Sequence, residues 1–171
     1  MDAHDPLVND PSVADRLTAY HEAGHAVVAL MVGRLVQRVS ILPKLTRLGQ
    51  CELKKGSGKP PKDWLESEGL ILLAGAAAEG RISGRYCWAG AANDLRQVRA
   101  LICSRAASVK QAERLEKRWL DKVESLLDGA DIWLAVELIA ADLLTRKTIS
   151  GRAARHHYEQ AAARVAKQGK G

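Results

Sequence analysis

A mainly α-helical fold with a small β element, built as a single compact domain, is what this sequence predicts. Three observations carry that expectation. The chain has 171 residues, enough for one domain with a real core. Hydrophobic residues make up 47% of it, yet Phe is absent and aromatics are only 4%. The core must therefore come from Leu, Val, Ile and much Ala, which favours closely packed helices. Apolar residues recur at helical spacing along most of the chain, and only a stretch between about 36 and 53 is short, β-branched and alternating.

Asp10-Pro11-Ser12 opens the first helix. Proline suits a first helical turn, and Ser12 with Asp15 fits a capping box. The helix runs through Tyr20 to Met31 and stops near Gly33. Val36 to Leu42 and Leu48 to Leu53 read as two short strands joined around Pro43 to Arg47. Residues 54 to 62, KKGSGKPPK, are a flexible basic loop. Its GSGK fragment is not a phosphate loop, because that pattern needs Gly where Leu53 stands and Ser or Thr where Pro60 stands. A second helix, Asp63 to Arg81, is apolar on all sides in its latter half, as a buried helix must be. Its small residues, Ala74 to Ala78 with Gly75, allow another backbone to approach closely. Ala91 to Ala107 is a third helix with Leu95, Val98 and Ile102 on one face. Helices follow at about Lys110 to Leu127 and Asp131 to Arg146, and a last one starts at Ser150. No repeat and no domain boundary interrupts residues 1–171, and the expected core spans about 12–165 between flexible termini.

The net charge is +6 and the isoelectric point about 9.4. The basic residues are spread out, with no stripe interleaved with aromatics, so a solvated surface is the reading and nucleic acid is not an expected partner. Cys51, Cys87 and Cys103 are odd in number and widely spaced, which points away from disulfides and toward a reducing cytoplasm. The first residues, MDAHDPLVND, lack the basic start and apolar run of a signal peptide. The longest apolar stretch, Leu70 to Ala78, is too short for a transmembrane segment.

The chemistry concentrates in Tyr20-His21-Glu22-Ala23-Gly24-His25. Positions four apart share a helix face, one turn above the other. His21 and His25 can therefore both reach one ion at the roughly 2.0–2.1 Å that zinc requires. Glu22 lies about 100° around the axis, near the ion but outside the histidine pair. That is the position of a general base acting on metal-activated water.

A catalytic zinc commonly has three protein ligands. Candidates for the third are Glu79, Asp94, His156 and His157. Asp94 stands in the first turn of the third helix, one turn before Val98, and so points with the apolar face. An inward carboxylate needs a partner, and a metal is one. Helix capping by Asp94 or by the adjacent Asn93 is an equal alternative on local grounds. Glu79, at the end of the buried helix, could orient a ligand histidine or simply meet solvent. His156 and His157, on the basic last helix, read as surface residues. None of the cysteines has ligand spacing to another.

Thr18 to Ala29, TAYHEAGHAVVA, closely resembles the zinc helix of the FtsH-type metallopeptidases. Val39-Ser40-Ile41-Leu42-Pro43 followed by Leu48-Gly49 is similar to that family's V-x-I-x-P…L-G strand pair. Leu73 to Glu79, LAGAAAE, resembles its L-x-G-x-x-A-E helix, and Gly90 to Leu95, GAANDL, its G-A-x-N-D-[IL] motif. Leu143 to Ser150 resembles the family's closing helix pair more weakly. The resemblance covers about residues 12 to 160. It implies Asp94 as third zinc ligand, with Glu79 and Asn93 beside the ligands rather than on the metal. Gly80 stands where the family often has a second acidic residue, and the segment between Cys103 and Asp131 is shorter than usual. Family members usually carry a membrane anchor and an AAA ATPase module before the peptidase domain. The residues here show neither.

The expected function is zinc-dependent endopeptidase activity on peptides or unfolded proteins, with Glu22 as general base. A separate AAA ATPase and self-association into a homo-oligomer are the partners that the resemblance implies. Two other classes compete: a non-catalytic zinc-containing regulatory module on the same fold, and association with nucleic acid or acidic membranes through the basic loop and tail.

Overall fold

The computed structural model describes residues 11–43, 49–54 and 63–169. The expected turn at Pro43 to Arg47 beyond its first residue, Leu48, and the basic loop after Lys54 lie outside the described residues, as does Asp10. The elements in order are α1 (Pro11–Met31), β1 (Val36–Ser40), β2 (Gln50–Leu53), α2 (Trp64–Ser83), α3 (Ala92–Cys103), α4 (Val109–Leu127), α5 (Ala130–Arg146), β3 (Thr148–Ser150) and α6 (Gly151–Gln168).

α1 is the hub, packed against α2, α5 and the sheet. Ala19, Ala23, Ala26, Val27, Val28 and Ala29 on it are fully buried. Its contact with α2 is close because both surfaces are small. A Cβ built on Gly24 would stand 2.5 Å from the Ala74 carbonyl oxygen, inside van der Waals contact, so these backbones can meet only over glycine. α2 is buried from Gly69 to Glu79 except for the half-buried Leu72, as its all-round apolar sequence requires. α4 covers it with Trp119, Val123 and Leu127, and the Trp119 ring occupies the space that a side chain at position 69 would need.

Just past the end of α1 stands Gly33, whose φ of 82° is left-handed. The Arg34 N–H then turns back to the Ala29 carbonyl at 2.8 Å, closing the last turn in the manner of a Schellman motif. α3 is shorter than expected and stops at Cys103. Ser104 donates its hydroxyl to Leu101 O, and Ser108 caps α4 by accepting from Gln111 N. Non-helical residues 104–108 take the place of the expected continuation to Ala107.

The sheet has the order β2-β1-β3, all antiparallel. Val39 pairs with Cys51 on one side and Ile149 on the other. β3 is an addition to the two strands expected. It has three residues, too few to display alternation. Lys147, between α5 and β3, has a left-handed φ of 62° and donates its ammonium to Asp15 at 2.8 Å. α6 then begins against β1, where a Cβ on Gly151 would lie 1.8 Å from Val36 O.

Candidate metal centre

α1 and α2 run antiparallel, so residues late in α1 face residues early in α2. His25 Nδ1–H donates to the Ile71 carbonyl at 2.7 Å. One turn earlier on α1, His21 Nδ1–H donates to Glu79 Oε2 at 3.0 Å. Donating through Nδ1 in this way, each ring turns its Nε2 lone pair inward. Asp94, in the first turn of α3, approaches from the third side. Its Oδ2 lies 3.3 Å from His21 Nε2 and 3.4 Å from His25 Nε2.

Two lone pairs facing a carboxylate oxygen at that distance repel unless positive charge lies among them. Two ligands about 2.1 Å from a tetrahedral zinc stand about 3.4 Å apart. The spacing observed matches that geometry, and the three candidate ligand atoms lie within 4.8 Å of one another. Two imidazoles and a carboxylate are also the donor set that zinc takes. The residues fit the metal.

Without a metal the same repulsion is answered by a proton. Burial by itself would depress the His21 pKa, but the Asp94, Glu79 and Glu22 carboxylates outweigh it and raise it to about 10. Burial would raise the Asp94 carboxyl, and the two imidazoles overcome it, holding that group well below the usual carboxylate range.

Gly75, one turn before Glu79, makes the room. A Cβ there would stand 2.5 Å from His25 Nε2 and 2.6 Å from His21 Nε2. The small residues of α2, expected to admit another backbone, at this position admit two imidazoles. Glu22 is buried on the adjoining face of α1. A Cβ on Gly49, just before β2, would meet its Oε1 at 2.7 Å, so the strand's entry lies directly on the carboxylate. Cys51, on β2, is pushed far above the usual thiol range by burial and by Glu22 and Glu52. It stays a neutral thiol.

His21, Glu22, His25, Asn93 and Asp94 line one cavity of about 760 Å³. The N-cap of α3 is Ala91, so neither Asp94 nor Asn93 occupies the capping position that competed with the ligand reading. Glu79 is 9% exposed and bonded to His21, not at a solvent boundary. His156 and His157 are elsewhere: His156 is exposed, and His157 Nε2 bonds to Asp142 at 2.8 Å, part-buried rather than a plain surface residue. The cysteines are all free. No helix among the described residues is long and apolar enough to cross a membrane.

Nothing in the sequence pointed to the Ile71 carbonyl, or to Arg34 and Glu68, which form an ion pair in the same cavity wall. Gly75 did leave a signal, four residues before Glu79 in the otherwise apolar stretch Leu70 to Ala78.

The family model described as peptidase family M41 matches residues 11–126. Among curated proteins, the chain is 37% identical over 91 residues to the ATP-dependent zinc metalloprotease FTSH 1, chloroplastic, of Oryza sativa subsp. japonica. It is 38% identical over 90 residues to the ATP-dependent zinc metalloprotease FtsH 3 of Synechocystis, and 35% identical over 96 residues to the FtsH of Acidobacterium capsulatum. These matches cover 48%, 48% and 52% of this chain, and 13%, 15% and 15% of the relatives.

Proposed function

The chain belongs to peptidase family M41, and from that premise we propose that it is a zinc-dependent metalloendopeptidase cleaving peptides and unfolded proteins. What carries the reading is the inward convergence of His21 Nε2, His25 Nε2 and Asp94 Oδ2, with the outer nitrogen of each ring already engaged. These three residues would hold the zinc, with Glu79 fixing His21 and the Ile71 carbonyl fixing His25.

Zinc bound there supplies Lewis acidity, lowering the pKa of water toward about 7 and polarising the scissile carbonyl. The remaining work falls to the chain's own groups. The Glu22 carboxylate takes the proton from the attacking water and returns it to the leaving amine. Its burial beside Gly49 keeps it close to the reacting centre and short of competing solvent. β2 is an edge of the sheet, and Gln50, Cys51 and Leu53 on it line the cavity. An extended substrate can pair with that edge through main-chain hydrogen bonds, which align the backbone without selecting sequence.

The relatives' names describe ATP-dependent proteases. A separate AAA ATPase that unfolds and delivers substrate, a homo-oligomeric assembly and a reducing cytoplasmic setting, in keeping with three free cysteines, belong to the same proposal.

The experiment is Glu22→Gln, assayed for bound zinc and for cleavage of an unfolded protein substrate. Zinc should stay at the wild-type level while turnover falls by about 10²- to 10⁴-fold, the usual worth of a general base. Cleavage at the wild-type rate would overturn the mechanism. A wild-type chain that binds zinc and cuts nothing, with or without an ATPase, would favour the regulatory module instead.

A further inference from the structure

The cavity continues past His25, and its far end has a composition unlike the metal centre. Ile71 and Leu72 on α2 and Leu53 on β2 line it with apolar surface, and Arg34 and Glu68 line it as well. The Arg34 guanidinium donates to the Glu68 carboxylate. Both side chains are largely sequestered, 25% and 21% exposed.

The backbone holds this wall in place. Arg34 is fixed by its N–H bond to Ala29 O at the end of α1, and the neighbouring Leu35 carbonyl accepts from Lys54 N at the end of β2. The pair therefore bridges the end of α1 to the first turns of α2, beside the end of β2. Paired charges present no net charge to the cavity. Either charge alone, in a partly desolvated wall, would attract an opposite charge and repel a like one.

We propose that the Arg34–Glu68 pair is the specificity-determining end wall of a substrate side-chain subsite. The subsite accepts an apolar side chain flanking the scissile bond and discriminates against both acidic and basic ones. The inference rests on the peptidase reading above and names the side-chain class which that site selects. Apolar walls reward a Leu-like side chain by burial. A Glu or Lys side chain entering the same space is desolvated with no free partner, because each wall charge already has one.

The test is a peptide set in which each residue flanking the scissile bond is varied among Leu, Glu and Lys, cleaved by zinc-loaded protein and read by mass spectrometry. In the wild type, kcat/KM should be highest for Leu at one flanking position. Glu68→Gln leaves Arg34 unpaired and should raise the Glu-to-Leu ratio at that position about tenfold or more, the scale of a hydrogen bond to a charged group. Arg34→Met leaves Glu68 unpaired and should raise the Lys-to-Leu ratio likewise. The reversed pair, Arg34→Glu with Glu68→Arg, should return both ratios toward wild type. Ratios within one variant are independent of its folded fraction, so destabilisation cannot mimic the result. Unchanged ratios with a lowered Tm would overturn the proposal and make the pair a clasp between α1 and α2. To separate this from failure of the peptidase reading, the same peptides carrying a fluorophore are titrated into zinc-loaded protein with Glu22→Gln alone or with each wall variant. Discrimination in binding without cleavage by the wild type would sink the peptidase reading and keep the subsite. Cleavage with unmoved ratios would do the reverse, and the absence of both would sink the two together.

Discussion

Gly75→Ala puts one methyl group where the site has no space. The added Cβ would lie 2.5 Å from His25 Nε2 and 2.6 Å from His21 Nε2, roughly 1 Å inside the about 3.5 Å at which such atoms pack. Neither ring can yield freely, because their outer nitrogens are bonded to Ile71 O and Glu79. Relief therefore comes from tilting both imidazoles by about 1 Å. Metal bonds tolerate about 0.2 Å, so both ligand positions are spoiled. Disturbing the support of one ligand costs about 10- to 100-fold in metal affinity. Displacing two ligands should cost at least about 100-fold. Stability should move much less. Overpacking costs about 1–3 kcal/mol, while replacing glycine by alanine in a helix interior returns about 1 kcal/mol. The assay is a competitive chelator titration of zinc together with the Tm of the metal-free protein. Gly69→Ala is the control: its Cβ would meet the Trp119 ring at 2.3 Å, so it should lower Tm and leave the zinc affinity of folded protein unchanged. Wild-type zinc affinity in Gly75→Ala would refute the placement of the two imidazoles against α2.

Two further outcomes follow from the same geometry. Glu79→Gln replaces a carboxylate acceptor for His21 Nδ1–H with a weaker amide one and should weaken zinc binding by about 10- to 100-fold, measured by the same titration. Glu66→Gln tests acid stability: hydrogen bonding from Lys122, with Arg118 and Arg105 nearby, lowers the Glu66 pKa despite some desolvation. A depressed folded pKa gives stability that is present above the unfolded value and lost as pH falls through the folded one. The pair is near the surface, so at pH 7 the variant should be less stable by only about 0.5 kcal/mol. In urea titrations that difference should vanish below the ordinary glutamate range, and a constant difference down to pH 2 would refute the assignment.

The helical periods announced α1, α4 and α5 nearly to their ends, because amphipathic or continuously apolar runs of that length have few alternatives. β3 was hidden because three residues carry no period, and its existence depends on pairing with β1 a hundred residues earlier. The two histidines and Glu22 were readable from i, i+4 spacing alone. Asp94 was half-readable: its inward position followed from Val98, but only the approach of α3 to α1 puts its carboxylate between the two rings. Glu79 required the antiparallel register of α1 and α2, which no local pattern encodes. Arg34 and Glu68 were invisible for a plainer reason, since charged residues at helix ends look alike whether they meet solvent or one another.

α1 carries both the candidate chemistry and the centre of the core, on faces that share residues. Ala23 and Ala26, fully buried, flank the motif histidines in sequence, and Gly24 lies between them against α2. A substitution near the motif histidines cannot be judged by the candidate metal centre alone or by packing alone. The outer helices are under no such double constraint: most of α6 and much of α4 are exposed. Sequence drift among descendants of this fold should therefore concentrate in that outer shell, and changes at the cavity should gather on its rim, where a side chain can alter without moving the hub.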